Sequence, residues 1–166
     1  SKNDKILCAK YRKGHFEGVL NVMNRLLNLI KAKYIFMGEK DFQQIFLIKK
    51  YLAKKYKVKI INCKTIRDKN KIALSTRNNL LSKKNYYKVL LITKFLFTAK
   101  RRIRFTKLEL SSYLNQIIQI LEKIYNIKID YLELRNEKNL KISNLKGKFR
   151  LFIAYYIDKI RIIDNF

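Results

Sequence analysis

Apolar residues recur at helical spacing from Glu17 to about Ala32, where Val19, Val22, Met23, Leu26, Leu27 and Ile30 form one stripe. The spacing predicts an amphipathic helix. Lys33 breaks the stripe, Tyr34-Ile35-Phe36-Met37 makes a short apolar run of the kind found in buried strands, and Gly38 ends it. A second helix is predicted from about Asp41 to Tyr56, with Ile45, Ile48, Tyr51 and Leu52 facing inward, and Val58 to Cys63 reads as a second buried strand. Helix, strand, helix, strand with short joints is the rhythm of a parallel α/β sheet.

The pattern changes after about residue 66. Asn78-Asn79 punctuates the chain, Ser82 is placed to cap a helix running to about Arg101, and Thr106-x-x-Glu109 reads as a capping box opening a helix to about Tyr125. Three strand-like stretches follow, Ile127 to Arg135, Lys148 to Tyr156 and Lys159 to Asp164, the last two close enough to form a hairpin around Ile157-Asp158. The expected architecture is therefore an α/β part over residues 1–66 followed by an α+β part over 67–166 with an antiparallel three-stranded sheet.

Composition changes this picture little. The chain has 166 residues and a formal charge of +27, a balance that points toward nucleic acid or an anionic surface. Its richness in Lys, Asn, Ile, Tyr and Phe, with no Pro or Trp, is also how a chain looks after drift toward AT-rich codons. The cations are spread over both halves, and no like-charge block is longer than Lys100-Arg101-Arg102, so no basic arm is evident. A basic RNA-binding protein, suggested by the charge and by 13% aromatic residues, stands as an alternative. No apolar run approaches a membrane span and no hydrophobic signal core is seen, so a soluble cytoplasmic protein is expected. Cys8 and Cys63 with a single His indicate neither a metal site nor a disulfide framework, and both thiols are read as buried or idle.

Candidate chemistry gathers at two places. Gly38-Glu39-Lys40-Asp41 lies where a strand hands over to a helix, at the carboxyl end of the strand, where open α/β sheets bind ligands. Backbone N–H groups at a helix start favour anions, and Lys40 adds a movable positive charge. Gln44, one turn on, offers both a donor and an acceptor to a polar ligand. In Leu74-Ser75-Thr76-Arg77-Asn78, two hydroxyls and a planar guanidinium suit the oxygens of a phosphate chain. His15, the only imidazole, sits between Gly14 and Phe16 just ahead of a helix and is a candidate for substrate contact. Three of the four glycines, Gly14, Gly18 and Gly38, fall in the first 38 residues, and each is expected to meet positive φ or a close approach.

Taken in order, Arg12-Lys13-Gly14-His15-Phe16-Glu17-Gly18-Val19, Phe36-Met37-Gly38-Glu39-Lys40-Asp41-Phe42-Gln43-Gln44, Ile66-Arg67 and Ala73 to Asn78 closely resemble the pantothenate synthetase, or pantoate-beta-alanine ligase, family. Arg161-Ile162-Ile163-Asp164-Asn165 resembles that family's terminal strand. The resemblance implies a Rossmann-like nucleotidylyltransferase domain continued into a small C-terminal lid domain. It further implies ATP-dependent condensation of pantoate with β-alanine through a pantoyl adenylate, with Mg²⁺ as cofactor. By the same resemblance Gly38 and Asp41 meet the ATP ribose, with Glu39 in the same turn and Lys40 on the phosphates. Ile66 lines the adenine pocket, and Leu74, Ser75, Thr76 and Arg77 form the loop that closes on the phosphates. Gln44 holds pantoate, and Lys40, Ser75 and Arg77 are the implied catalytic residues.

Departures from the family pattern are local. Its second loop Ser is Thr76, its Pro ahead of the His-Phe pair is Lys13, and its Pro before Thr65 is Lys64. Its Asp-Gly before the loop is Asn70-Lys71, which removes a glycine beside a moving segment. The family's N-terminal His-x-Gly-His motif is not among these residues, so a truncated or split ligase is expected, with a separate N-terminal fragment as partner and little activity alone. A folded inactive remnant is the further alternative, and a completed enzyme is expected to be a homodimer.

Overall fold

The computed structural model describes residues 4–106, 109–143, 145 and 147–166. Two compact units divide the chain, one ending at Thr65 and the other beginning at Ile66.

In the first unit a short helix α1 (Cys8–Tyr11) precedes α2 (His15–Ile30), strand β1 (Tyr34–Gly38), helix α3 (Phe42–Ile48) and strand β2 (Lys59–Cys63). The two strands pair in parallel, with Tyr34 opposite Lys59 and Gly38 opposite Cys63. Leu27 of α2, Ile45 and Ile48 of α3, Leu52, Val58 and Ile60 form the core, with Ile35 and Met37 packed against it. Period-two alternation then turns Tyr34 and Phe36 to the opposite face, where they are 56% and 70% exposed. Both strands were expected to be buried. The helices lie against one face of β1 and, among the described residues, nothing covers the other. The α2 stripe is corrected for the same reason: Leu27 is buried, whereas Val22, Leu26 and Ile30 are exposed.

The second predicted helix proves irregular. Glu39–Asp41 form a 3₁₀ turn, α3 follows, and Lys49–Ala53 widen into a π-helical turn. That widening leaves Tyr51 exposed, not inward, with its hydroxyl donating to Asp4. Helix α2 starts two residues earlier than the apolar pattern suggested, because Gly14 takes φ 74° and turns the chain into it. Gly18 and Gly38 have neither positive φ nor a neighbour that a Cβ would meet, so the need expected of them is not seen.

The second unit holds α4 (Lys83–Arg102), α5 (Leu110–Tyr125) and the strands β3 (Lys128–Asn136), β4 (Phe149–Ile157) and β5 (Ile160–Asn165), with β4 central in an antiparallel sheet. The Ser82 hydroxyl accepts from the Asn85 amide, capping α4 as its position predicts. The capping box at Thr106 does not form a helix start, since Glu109 is extended and α5 begins at Leu110; Lys107 and Leu108 lie outside the described residues. Val89, Ile92 and Leu96 of α4, Leu114, Ile117 and Leu121 of α5, and Leu151 and Ile153 of β4 form one continuous core. A two-residue turn at Asp158-Lys159, with Asp158 at φ 51°, joins β4 to β5.

Several arginines of this unit are paired internally. Arg161 meets Asp130 at 2.8 Å, beside a register shift that β3 makes between Ile129 and Tyr131. Arg150 meets Glu137 at 3.1 Å, and Arg135 pairs with Glu133. Among the described residues no helix is long and apolar enough to cross a membrane. Both cysteines are free, Cys8 buried and Cys63 exposed.

Leu121 is fully buried and Leu29 is 80% exposed. Leu121→Ala is therefore expected to lower the unfolding free energy by about 2 to 5 kcal/mol, and Leu29→Ala by no more than about 0.5 kcal/mol. Urea unfolding of the two variants checks this, and equal losses would contradict the assignment of the core.

Candidate functional site

The first candidate region sits where two paired strands end. In the first unit the paired strands finish together, with Met37 opposite Asn62 and Gly38 opposite Cys63, so the Glu39–Asp41 turn emerges at their common carboxyl end. Lys40 and Glu39 are half-buried there and Asp41 is exposed. Asn62 donates to Glu39 Oε1 at 3.5 Å and accepts from Lys49 Nζ at 2.7 Å, linking the turn to the second strand. Because a 3₁₀ turn and a helix of only seven residues follow the strand, little macrodipole is available. The positive charge in the turn rests on Lys40 itself.

The two adjacent glutamines have separate duties. Gln43 is 6% exposed and donates to the carbonyl of Ile6 at 2.7 Å, while Gln44 is half-buried on the next face of α3. His15 is half-buried at the start of α2, and Arg12 Nη1 lies 2.7 Å from its Nε2. Arginine can only donate, so Nε2 accepts and the ring proton sits on Nδ1. A cavity of about 530 Å³ opens beside this helix start, lined by Lys13, Gly14 and Phe16 among others but not by His15.

In the second unit, residues 66–74 fold back on themselves. Arg67 and Ala73 form an antiparallel bridge, the Leu74 amide donates to Ile66 at 3.0 Å, and Asp68 Oδ1 accepts from the amides of Asn70 and Ile72 at 2.8 and 2.9 Å. Lys71, where the resemblance leads one to expect a glycine, takes φ 65°. A left-handed conformation in a non-glycine residue costs about 1 to 2 kcal/mol. Ser75 Oγ then accepts from the Arg77 amide at 3.3 Å and starts a 3₁₀ turn over Thr76–Leu80.

A cavity of about 580 Å³ lies against this turn. Leu74, Ser75, Thr76, Asn78 and Asn79 line it from the loop, with Asp68 and Tyr86 also in its wall. Arg77 is not in its wall and instead donates to the carbonyl of Arg161 at 3.2 Å. Ile66 is 72% exposed and Leu74 is 54% exposed, so both offer apolar surface to solvent. The structure thus gathers Ser75 and Thr76 around one cavity and groups Glu39, Lys40 and Asp41 in one turn. These clusters belong to different units.

Three features of the sites were not anticipated from the sequence. Asn62 stands in an apolar strand, and only its place near the strand end hints at a role. Tyr86 donates to Asp68 Oδ2 from a helix whose pattern marks it merely as an aromatic. The bidentate pairing of Arg67 with Asp164 joins residues 97 positions apart. Burial pushes the Asp68 carboxyl up, but the hydrogen bonds from Tyr86, Ile72 and Asn70 outweigh it and hold the group below the usual 3.8. The same bond raises the Tyr86 phenol above its usual 10.0.

Comparison with known proteins adds to this geometry. A profile of the pantoate-beta-alanine ligase family matches residues 1–166. The chain is 36% identical over 164 residues to a pantothenate synthetase of Leptospira interrogans, covering 97% of this chain and 57% of that protein. It is 32% identical to one from Flavobacterium psychrophilum, covering 95% and 56%. Among solved structures, a pantothenate synthetase from Thermus thermophilus superposes with a TM-score of 0.88 at 25% identity, over all of this chain and 60% of the other. A Francisella tularensis pantoate-beta-alanine ligase complexed with beta-gamma ATP and β-alanine gives 0.77 at 33% identity, over 55% of that chain. The chain therefore spans a little over half the length of the relatives it matches.

The Tyr86–Asp68 bond carries a pH signature. A carboxyl held low in the folded state contributes stability above its unfolded pKa, and that contribution is lost as pH falls through the folded value. Tyr86→Phe is expected to lose about 1 kcal/mol of stability at about pH 7, after allowance for screening in a half-buried site, and almost none at about pH 2. Denaturant titrations at the two pH values check this, and an equal loss at both would contradict the pairing.

Proposed function

From a chain that belongs to the pantoate-beta-alanine ligase family, we infer the nucleotide-phosphate machinery of an enzyme that condenses pantoate with β-alanine at the expense of ATP. In this reading the pantoate carboxylate attacks the α-phosphorus of ATP, a C–O–P anhydride forms, and the bond to pyrophosphate breaks. The β-alanine amine then attacks the activated carbonyl, the amide forms, AMP leaves, and the amine gives up a proton. Because the chain covers 57% of its Leptospira interrogans relative, this activity is assigned to the chain together with the portion of the family that it does not span.

The first step brings an anion to a polyanion, so its barrier is electrostatic and is lowered by cations fixed before the reaction begins. Lys40 is assigned to the phosphates, and Gly38, Glu39 and Asp41 to the ribose side of the same turn. Gln44 is assigned to pantoate, Ile66 to the adenine, and His15 to a substrate contact at the start of α2. Ser75, Thr76 and Arg77 are assigned to the phosphates and the departing pyrophosphate, with Leu74 on the apolar flank. For Arg77 this requires exchanging the carbonyl of Arg161 for a phosphate oxygen, and a charge-assisted bond to phosphate is the stronger of the two.

Among the described residues no three His, Cys, Asp or Glu side chains come together. A Mg²⁺ ion accompanying ATP fits as a phosphate-held ion completed by water, the usual arrangement for this metal. It would supply further neutralisation of the phosphate charge.

The observation that carries this reading is the placement of Gly38 to Gln44 at the common carboxyl end of two parallel strands, in a chain matched by the family along its whole length. Loss of one charge-assisted contact costs about 1.5 to 3 kcal/mol, or on the order of 10- to 100-fold in rate when it acts in the transition state. Lys40→Ala and Arg77→Ala are each expected to slow pantoate-dependent exchange of pyrophosphate into ATP by that factor. The assay is run on the chain alone and on the chain combined with the portion of a relative outside the match. Full exchange in both variants would overturn the assignment.

A further inference from the structure

The connection from Cys63 to Lys83 carries the proposed phosphate loop yet buries only Ile72 and Ala73 among its apolar residues. Ile72 anchors the base of the loop in the core, but its tip, with Leu74 and Leu80 exposed, has little apolar burial to hold one conformation. We propose that the ion pair of Arg67 with Asp164 is the positioning device of the Leu74–Arg77 loop, fixing where its hydroxyls and guanidinium meet the phosphates. The proposal rests on the reading of that loop as a nucleotide-phosphate site.

Arg67 is held from every side. Its Nη1 donates to Asp164 Oδ2 at 2.7 Å and to the Lys71 carbonyl at 2.9 Å, and its Nη2 donates to Asp164 Oδ1 and the Asn165 carbonyl, both at 2.9 Å. Phe97 and Phe166 flank the guanidinium, with ring centroids 5.1 and 5.2 Å away, and the two rings meet edge-on. Asp164, 8% exposed, is fixed in turn by the pairing of β5 with β4. A bidentate fork sets direction as well as distance, so the base of the loop is locked to the sheet in one orientation.

That orientation passes to the loop tip through short bonds. Arg67 bridges Ala73, Asn78 Nδ2 donates to the Ala73 carbonyl at 3.0 Å, and Ser75 caps the turn that presents Arg77. Arg77 then reaches β5 a second time at Arg161. Undocking the loop would leave the Asp164 carboxylate buried without its partner, a state that proteins strongly disfavour. The pair therefore holds the loop base while leaving Arg77, on a single bond to a carbonyl, able to change acceptor.

Two near-isosteric variants test this. Asp164→Asn keeps shape and loses charge, and Arg67→Lys keeps charge and loses the fork. Each is examined by amide hydrogen exchange and by titration with ATP and with inorganic pyrophosphate. The expected result is exchange faster by about tenfold or more at residues 75–78, unchanged exchange at Leu151 and Ile153, and affinity for both probes reduced by on the order of 100-fold, the scale of a misplaced binding group. Wild-type exchange and affinity in both variants would overturn the proposal, as would acceleration spread equally over the loop and β4, which marks a merely structural pair. Should Asp164→Asn not fold, Arg67→Lys decides alone by the same criteria. If the unaltered protein takes up neither probe, the phosphate reading fails, while the exchange data still decide whether the pair holds the loop.

Discussion

The proposed reaction must bring like charges together, and the settings of Lys40 and of the Leu74–Arg77 loop are read as responses to that constraint. A carboxylate approaching a triphosphate needs cations whose positions are settled beforehand, because reorganising dipoles at the moment of reaction forfeits most of their effect. Long cationic side chains have little intrinsic order, so the surrounding protein must supply it. The first unit does so with a parallel pair of strands whose ends present Lys40 in a tight turn, tied to the neighbouring strand through Glu39 and Asn62. The second does so with Arg67, whose guanidinium has no contact with the cavity but fixes the loop that lines it.

The large net charge takes on a different meaning in this light. Arg135, Arg150 and Arg161 pair with carboxylates inside the second unit and Arg67 with a buried one, so these cations hold the fold together and are not free to gather phosphates. Twelve acidic residues against a charge of +27 make each such carboxylate a scarce partner, and several of them serve in these pairs. A basic composition of this kind says less about partners than its magnitude suggests.

How much of this was legible in the sequence depended on whether the signal was local. The Ser82 cap, the alternation of elements and the hairpin at the end of the chain follow from neighbouring residues and were readable. Tyr34, Phe36, Val22 and Ile30 were misplaced because an apolar pattern announces that a face is to be covered, not that the described residues cover it. The helical stretch from Asp41 onward is less regular than its apolar spacing predicts, since nothing in that spacing distinguishes a π-helical turn. Ser75, Thr76 and Lys40 were singled out by chemistry and spacing, and they do line a cavity or a strand-end turn. The clamp on the loop was invisible, because Arg67 and Asp164 lie 97 positions apart and only folding joins them. Lys71 takes a left-handed conformation despite its side chain, a feature that only the backbone reveals.

A crystal structure of the protein with ATP bound addresses the central claim most directly. The account predicts an ordered triphosphate with a phosphate oxygen within about 3 Å of Lys40 Nζ, in the turn at the carboxyl end of the paired strands. A triphosphate bound away from that turn, with Lys40 directed to solvent, would contradict it.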